Sequence, residues 1–408
     1  MNSGFSAIAR RTTEPPISWL MKLTLERPEL ISLAAGFTDN ESLPVVATRE
    51  LADKLLASAR TGRPALQYGA TAGDPELRRL TAKRLSELDQ RSYAAEQFLI
   101  THGSQQLLYL VSECLCDPGD IVLVEDPTYF VFLGIAQSLG FHCRGIRMQS
   151  DGLDIEHLEQ RLAAFKKSGE IKSVKFVYLV TYFQNPSGVS TSFEKKAAAL
   201  AVLKKYERAA GHPIYLLEDA AYRELRFEGE DDPSARGNER VIYAGTYSKP
   251  FATGIRVGFG LIPEPLRTVV LHLKGSHDFG TANFQQQIVS AALASCRYEK
   301  HVGSLRKRYA KKAEVMVQAI TKYFPDTVQW EKPHGGLYVW AGDPRVKTGA
   351  KSKFLRAALD HNVIYVPGEL CYCDDPTRPK PNHEMRLSFG GATEADISEG
   401  IKKLGALF

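Results

Sequence analysis

The sequence predicts an α/β protein: a large domain with a mostly parallel seven-stranded sheet between helices, followed by a smaller α+β domain. Three observations carry this. From about residue 98, short β-branched runs alternate with helical patterns, the rhythm of strands joined by crossover helices. One run, VKFVYLV, is nearly all apolar, as expected of a strand covered on both faces. After about residue 285 the style changes to a long charged helical stretch and then strand-like segments interleaved with helices. At 408 residues the chain has room for two domains and can bury a large core without disulfides or metals.

The first 45 residues stand outside the parallel rhythm; they hold the turn-rich AAGFTDNESLP and one helix, ISWLMKLTLE. FLIT (98–101) reads as a strand, with a helix from Ser104 to about Cys116. IVLVED (121–126) is a second strand, and the stretch after Pro127 is helical. FHCRGIRM (141–148) is a third, followed by the amphipathic LDIEHLEQRLAAF. After VKFVYLV (174–180) a helix runs from Phe193 to about Ala209. IYLLED (214–219), VIYAGT (241–246) and RVGFGLI (256–262) complete the seven strands. A charged helix then spans about Tyr298 to Phe324, and VQWEKPHGGLYVWAG, NVIYVPG and HEMRLSF supply the strands of the second domain. This gives an N-terminal segment 1–45 packing with the small domain, a large domain 46–285 and a small domain 286–408. There is no internal repeat.

Composition excludes several classes. The formal net charge is +5 from 52 basic and 47 acidic residues, too little over this length to argue for nucleic acid or an anionic membrane. Hydrophobic residues at 44% and charged residues at 24% exclude a disordered or fibrous chain. No stretch approaches the roughly 18 apolar residues of a membrane span, and the N-terminus lacks the apolar core of a secretory signal. The cysteines form two C-x-C pairs, Cys114/Cys116 and Cys371/Cys373, with Cys143 and Cys296 apart. That is not a zinc-binding spacing, so no metal is expected; reduced thiols favour the cytoplasm, and the Asn40-Glu41-Ser42 sequon reads as chance.

In open parallel sheets ligands bind at the carboxyl ends of the strands, so the residues just past each strand are the candidates for chemistry. After FLIT, Gly103 permits close backbone approach, and Ser104 and Gln105 open a helix whose free N–H groups suit a phosphate; Ser is equally a common helix cap with no ligand. After VKFVYLV comes Asn185-Pro186, an ordinary turn when judged alone. IYLLED ends in Glu218-Asp219, and a carboxylate closing so apolar a strand is either a helix cap or the partner of a buried cation. VIYAGT leads into Ser248-Lys249, with Arg256 seven residues beyond Lys249. Most lysines are solvated surface residues. Here hydroxyls and an arginine make a phosphate cradle, and a partly desolvated amine beside a cation loses its proton and attacks carbonyls. No P-loop, no G-x-G-x-x-G after the first strand, no H-E-x-x-H and no G-x-S-x-G competes.

Taken in order, ISLAAGF, QYG, HGSQQ, DPTYF, FQNPSG, EDAAYREL, TYSKPFATGIRVGF, HGGLYVW, VIYVPG and MRLSF resemble the fold-type I pyridoxal 5′-phosphate (PLP) aminotransferases. The nearest branch is that of the aminoadipate and aromatic aminotransferases, which also includes regulators carrying an aminotransferase-like domain. The resemblance runs from about Ser32 to the C-terminus. It implies an aspartate aminotransferase-like fold and a cytoplasmic homodimer of amino-acid metabolism. It also implies a ping-pong aldimine mechanism that moves an amino group from an amino acid to a 2-oxo acid such as 2-oxoglutarate.

Residue by residue, the resemblance makes Lys249 the Schiff-base lysine and Asp219 the partner of the pyridine nitrogen. Asn185 and Tyr222 bond the ring's phenolic oxygen, and Tyr129 stacks on the ring. Ser104, Gln105, Ser248 and Arg256, with Thr246, hold the phosphate, and Tyr68 reaches the phosphate of the neighbouring subunit. Arg386 takes the substrate α-carboxylate, helped by Asn185 and the backbone at Gly36; it sits in the apolar MRLSF, and its bland alternative is a structural ion pair.

Two departures stand out. The segment Gly280-Thr281-Ala282-Asn283 lacks the proline often found there, which bears on cross-subunit contacts near Asn283. The N-terminal helix offers no arginine for a second substrate carboxylate, Arg10 and Arg11 lying upstream of it. With Trp19, Phe37 and Tyr68 expected near the mouth of the site, aromatic or large aliphatic donors are expected. Two alternatives remain. A PLP lyase or decarboxylase of the same fold would keep every cofactor residue. A non-catalytic sensor domain would need a helix-turn-helix module for which the preceding residues leave no room.

Overall fold

The computed structural model describes residues 4–408. Its strands are, in chain order, β1 (Ile31–Ser32), β2 (Phe98–Thr101), β3 (Ile121–Asp126), β4 (His142–Gln149), β5 (Gly152–Leu153), β6 (Val174–Val180), β7 (Tyr215–Asp219), β8 (Val241–Thr246), β9 (Gly258–Leu261), β10 (Gln329–Trp330), β11 (Tyr338–Gly342), β12 (Val363–Ile364), β13 (Val366–Pro367) and β14 (Glu384–Ser388). The helices that matter for position are, first, α1 (Ala7–Arg11), α2 (Pro16–Glu26), α3 (Val45–Leu56), α4 (Ala59–Leu66), α5 (Pro75–Asp89) and α6 (Gly103–Leu115). Then come α7 (Phe130–Leu139), α8 (Ile155–Ser168), α9 (Phe193–Ala210), α10 (Leu266–Asp278), α11 (Asn283–Ala294), α12 (Arg297–Tyr323), α13 (Lys353–Asp360) and α14 (Glu394–Gly405).

The large sheet has the order β2-β9-β8-β7-β6-β3-β4-β5. The strands β8, β7, β6, β3 and β4 pair in parallel, and β9 runs antiparallel to both β8 and β2. The seven expected strands are all present. An eighth, the two-residue β5, folds back antiparallel on β4 and is too short to leave a periodic signal. The short α1 is likewise an addition to the expected elements.

Strand β6 shows why the sheet is buried on both sides. Phe176, Tyr178 and Val180 enter one core with Leu107 and Phe132 from α6 and α7. Val177 and Leu179 enter the opposite core with Leu158, Leu162, Ala199 and Leu203 from α8 and α9. Alternate side chains thus serve two layers, so the run is apolar from Phe176 to Val180, while Lys175 near its start pairs with Asp120. Those crossover helices are well terminated: Asp154 accepts from His157 N at the start of α8, Ser192 accepts from Lys195 N at the start of α9, and Gly211 ends α9 in the left-handed conformation.

The second sheet, β10-β11-β14-β13, is antiparallel throughout. The N-terminal segment joins the second half of the chain through β1, which pairs in parallel with β12. The loop after β1 is fastened by Asp39. Its buried carboxylate pairs with the fully buried Lys312 and with Arg308 of α12, and Lys312 also donates to Gly390 O. This fastens residue 39 to α12.

Candidate active site

The parallel strands β3, β6, β7 and β8 all end at one edge, and antiparallel β9 begins there. The residues just past β7 and β8 therefore meet those just before β9, which places Asp219, Lys249 and Arg256 together. A cavity of about 260 Å³ opens at this edge. The large sheet forms its floor, the 36–37 loop and Met21 of α2 one wall, and Tyr338 and Arg386 of the second sheet another.

Lys249 is one turn beyond β8. Its Nζ donates to Gly36 O at 2.7 Å. Burial, then the nearby charges of Arg386 and Arg256, push its pKa down to about 8. No carboxylate pairs with it among the described residues. The amine is thus a buried group with a readily lost proton, as a carbonyl nucleophile requires.

Asp219 closes β7. Its Oδ1 accepts from Ala221 N at 3.2 Å and its Oδ2 from the Tyr178 hydroxyl at 3.0 Å. Burial pushes its pKa up to about 6. A carboxylate in that setting is stabilised by a cationic ring nitrogen, and the helix-cap alternative falls away because only a single short turn, Arg223–Leu225, lies beyond it.

The phosphate side is built by backbone approach. Gly103 has φ +69°, and a Cβ there would lie 2.7 Å from Arg256 Nη2. A Cβ on Gly258 would meet Gly103 C and Ser104 N at 2.5 Å. Only glycines at these two positions let β9 press against the start of α6, where free N–H groups point into the cavity wall with Ser104 and Gln105. Ser248 N donates to Thr246 Oγ1 at 3.0 Å, while Ser248 Oγ is buried with no partner among the described residues. The Arg256 guanidinium makes no hydrogen bond to another described residue. An orphaned hydroxyl, an unengaged guanidinium and a helix N-terminus together fit a phosphate group.

Arg386 on β14 is 1% exposed. Its Nη1 donates to Asn185 Oδ1 at 2.7 Å and its Nη2 to Ala34 O at 2.6 Å; its Nε is buried without a partner. Its guanidinium lies 4.3 Å over the Tyr338 ring and 5.5 Å from that of Phe130. No carboxylate among the described residues neutralises it, so the structural ion-pair alternative does not hold, and a ligand carboxylate is the natural counter-charge.

Of the sequence-predicted residues, Gly36, Ser104, Gln105, Tyr129, Asn185, Asp219, Tyr222, Thr246, Ser248, Lys249, Arg256 and Arg386 all line this one cavity. Tyr68 does not. It is 83% exposed and packs edge-on against Phe279 at 5.5 Å, so it is outside its own chain's site. The expected mouth also needs correction: Phe37 lines the cavity but Trp19 does not, and α2 contributes Met21 instead. Arg11 is occupied at the far end of α7, donating to Ser138 O and Leu139 O, and Arg10 bonds Phe5 O. Asn283 binds within the chain, its Nδ2 donating to Pro64 O and Gln67 O.

Sequence reading missed Tyr178 and Tyr338. Tyr178 carried a signal: a phenol inside an all-apolar strand needs a hydrogen-bond partner. Tyr338 carried none, since its place depends on how the second sheet seats on the first. Glu125 was also missed. It is fully buried, accepting from Val180 N at 2.9 Å and Gln184 Nε2 at 2.7 Å, and burial pushes it up to about 8.

A buried amine, a carboxylate for a ring nitrogen and a phosphate cradle in an α/β sheet of this order define a PLP enzyme of the aspartate aminotransferase-like fold. The chain belongs to the aminotransferase class I and II family, whose model matches residues 28–404. It is 34% identical over 405 residues to aromatic-amino-acid aminotransferase 1 of Thermococcus litoralis, covering 98% of this chain and 93% of that one. It is 31% identical to the 2-aminoadipate transaminase of Thermus thermophilus, covering 99% and 96%. The crystal structure of a Pyrococcus horikoshii kynurenine aminotransferase in complex with PMP superposes with a TM-score of 0.89, at 32% identity, covering 99% of this chain and 96% of that one. The protein is a PLP-dependent aminotransferase. Among the described residues no helix is long and apolar enough to cross a membrane.

Proposed function

We propose that this aminotransferase takes aromatic or large aliphatic amino acids as donors and a 2-oxo acid such as 2-oxoglutarate as acceptor. The observation that carries the donor class is the charge inventory of the cavity. Its lining cations are Lys249, Arg256 and Arg386, each with a task, and none is left among the described residues for a second substrate carboxylate. Met21, Phe37 and Val131 leave apolar wall instead. Apolar pockets discriminate by only about 1–3 kcal/mol per methylene, so the donor range is broad. The acceptor rests on family analogy.

The bound cofactor supplies an electron sink for the bond broken at the substrate's Cα. Lys249 Nζ would hold the cofactor covalently, and the same amine would move the proton at the substrate's Cα. Asp219 holds the ring nitrogen in its charged form. Asn185 and Tyr222 would bond the ring's phenolic oxygen, and Tyr129 would stack on the ring. Ser104, Gln105, Thr246, Ser248 and Arg256 hold the phosphate. Arg386 would take the substrate α-carboxylate, helped by Asn185 and the backbone at Gly36, with Lys249 lining the same cavity.

Assembly belongs to the same reading. Tyr68, Val45, Val46, Leu66 and Phe279 leave large apolar side chains in solvent on neighbouring elements, which supports a homodimer in which Tyr68 completes the other subunit's phosphate site. We divide the chain into a segment before residue 46, a large domain to 285 and a small domain from 286. The β1–β12 pair ties the first to the last. Six unpaired cysteines support a cytoplasmic location.

The test is a donor panel with 2-oxoglutarate, following glutamate against released ammonia or pyruvate. Glutamate with phenylalanine, tyrosine or leucine supports the reading. A strict requirement for an acidic donor overturns the donor class, and ammonia without glutamate points to a lyase.

A further inference from the structure

Tyr338 is buried, at 2% exposure, where β11 meets the large sheet. Its hydroxyl lies 3.0 Å from the Tyr222 hydroxyl and forms no other hydrogen bond with a described residue. Its ring is held in place: Arg386 lies over one face at 4.3 Å, and the Tyr222 ring meets it edge-on at 5.6 Å and 79°. On the Gly36 side there is no room, since a Cβ there would come within 2.7 Å of the Tyr338 hydroxyl.

The neighbours show what Tyr222 receives, and the role given above to Tyr222 then sets the direction of this hydrogen bond. A guanidinium can only donate, so Asn185 Oδ1, 2.7 Å from Arg386 Nη1, is an acceptor. That turns Asn185 Nδ2 toward Tyr222 Oη at 3.5 Å, where it too can only donate. Tyr222 has one proton. Spent on Tyr338, it would leave Tyr222 with nothing to offer a ligand.

We propose that Tyr338 is a positioning residue of this enzyme: its hydroxyl donates to Tyr222 and so turns the Tyr222 proton toward the cofactor's ring oxygen. The proposal rests on the role given above to Tyr222. Asn185, itself bound to Arg386, and Tyr338 then both donate to Tyr222, so the group that would grip the substrate carboxylate and Tyr338 act together on the group that would set the charge on the ring oxygen. Accepting from Tyr338 makes Tyr222 a stronger donor, by about 10–30% of a hydrogen bond in condensed-phase terms. A stronger donor favours the deprotonated ring oxygen.

The experiment is a pH titration of the visible absorbance of the resting holoenzyme, which reads the charge state of the lysine-bound cofactor without turnover. Four proteins are compared: wild type, Tyr338→Phe, Tyr222→Phe and the double variant. Phenylalanine keeps the packing at both positions. Tyr338→Phe should raise the midpoint by roughly half a unit, a fraction of one hydrogen bond. Tyr222→Phe should raise it further, and adding Tyr338→Phe to it should change nothing more. An unmoved midpoint in Tyr338→Phe, or an undiminished Tyr338 effect without the Tyr222 hydroxyl, overturns the proposal while leaving the role of Tyr222 intact. An unmoved midpoint in Tyr222→Phe overturns that role, and the proposal with it.

Discussion

Arg386 shows how much one buried cation can decide. Its two Nη atoms are bound to Asn185 and Ala34, its Nε is free, and no acid accompanies it among the described residues. In the proposed reaction both halves bring an α-carboxylate to this position. Arg386→Lys keeps the charge but loses the planar fork and the Asn185 contact. It should raise KM for the amino acid and the 2-oxo acid alike, about ten- to hundredfold, the worth of one charged hydrogen bond of 1.5–3 kcal/mol. An unchanged KM for either substrate would place the carboxylate elsewhere. Glu125 gives a pH test. Its folded-state value is raised from 4.5 to about 8, so the folded chain binds this proton more tightly than the unfolded one. The stability this supplies is full below pH 4.5 and is lost as pH rises toward 8. Asp219, raised to about 6, titrates in the same window, so the comparison must be with a variant that changes only position 125. Melting of the apoprotein from pH 5 to 8 should show wild type losing ground steadily to Glu125→Gln. A constant difference across that range contradicts the assignment.

At the level of elements, the antiparallel strand β9 is what completes the proposed phosphate cradle. Because it runs against its neighbours, its first residues fall at the edge where the others end, bringing Arg256 to Gly103. Gly258 makes that approach possible. In Gly258→Ala the new Cβ would lie 2.5 Å from backbone atoms of residues 103 and 104, so β9 and the start of α6 must part. Cofactor affinity should fall at least tenfold, about 1.4 kcal/mol, with the secondary structure retained by circular dichroism. Full cofactor retention would show that the helix start can move freely. Strand ends of this kind were legible from sequence because each chemical residue directly follows or precedes its own strand: Asp219 closes one, and Lys249 stands three residues past another. Met21 and Tyr338 were not, since helix α2 and strand β11 reach the cavity through tertiary packing that no local pattern encodes. The two-residue β5 was invisible for a simpler reason, being shorter than any period.

The whole molecule adds the question of copies. Within one chain, Tyr68 is 83% exposed and the cavity lacks it. Its recognition came from the order of motifs, and one chain's geometry agrees only in leaving Tyr68 free. Tyr68→Phe should weaken PLP retention several-fold with the fold and the association state intact. Sedimentation of wild type should give a dimer as the smallest active species; an active monomer would contradict a shared site.

Everything assigned to the site depends most directly on Lys249, the buried amine whose pKa is pushed down to about 8. The decisive measurement is borohydride reduction of the holoenzyme followed by peptide mapping. The pyridoxyl group should appear on the peptide carrying Tyr247-Ser248-Lys249. Finding it on any other lysine, or finding none, would contradict the assignment.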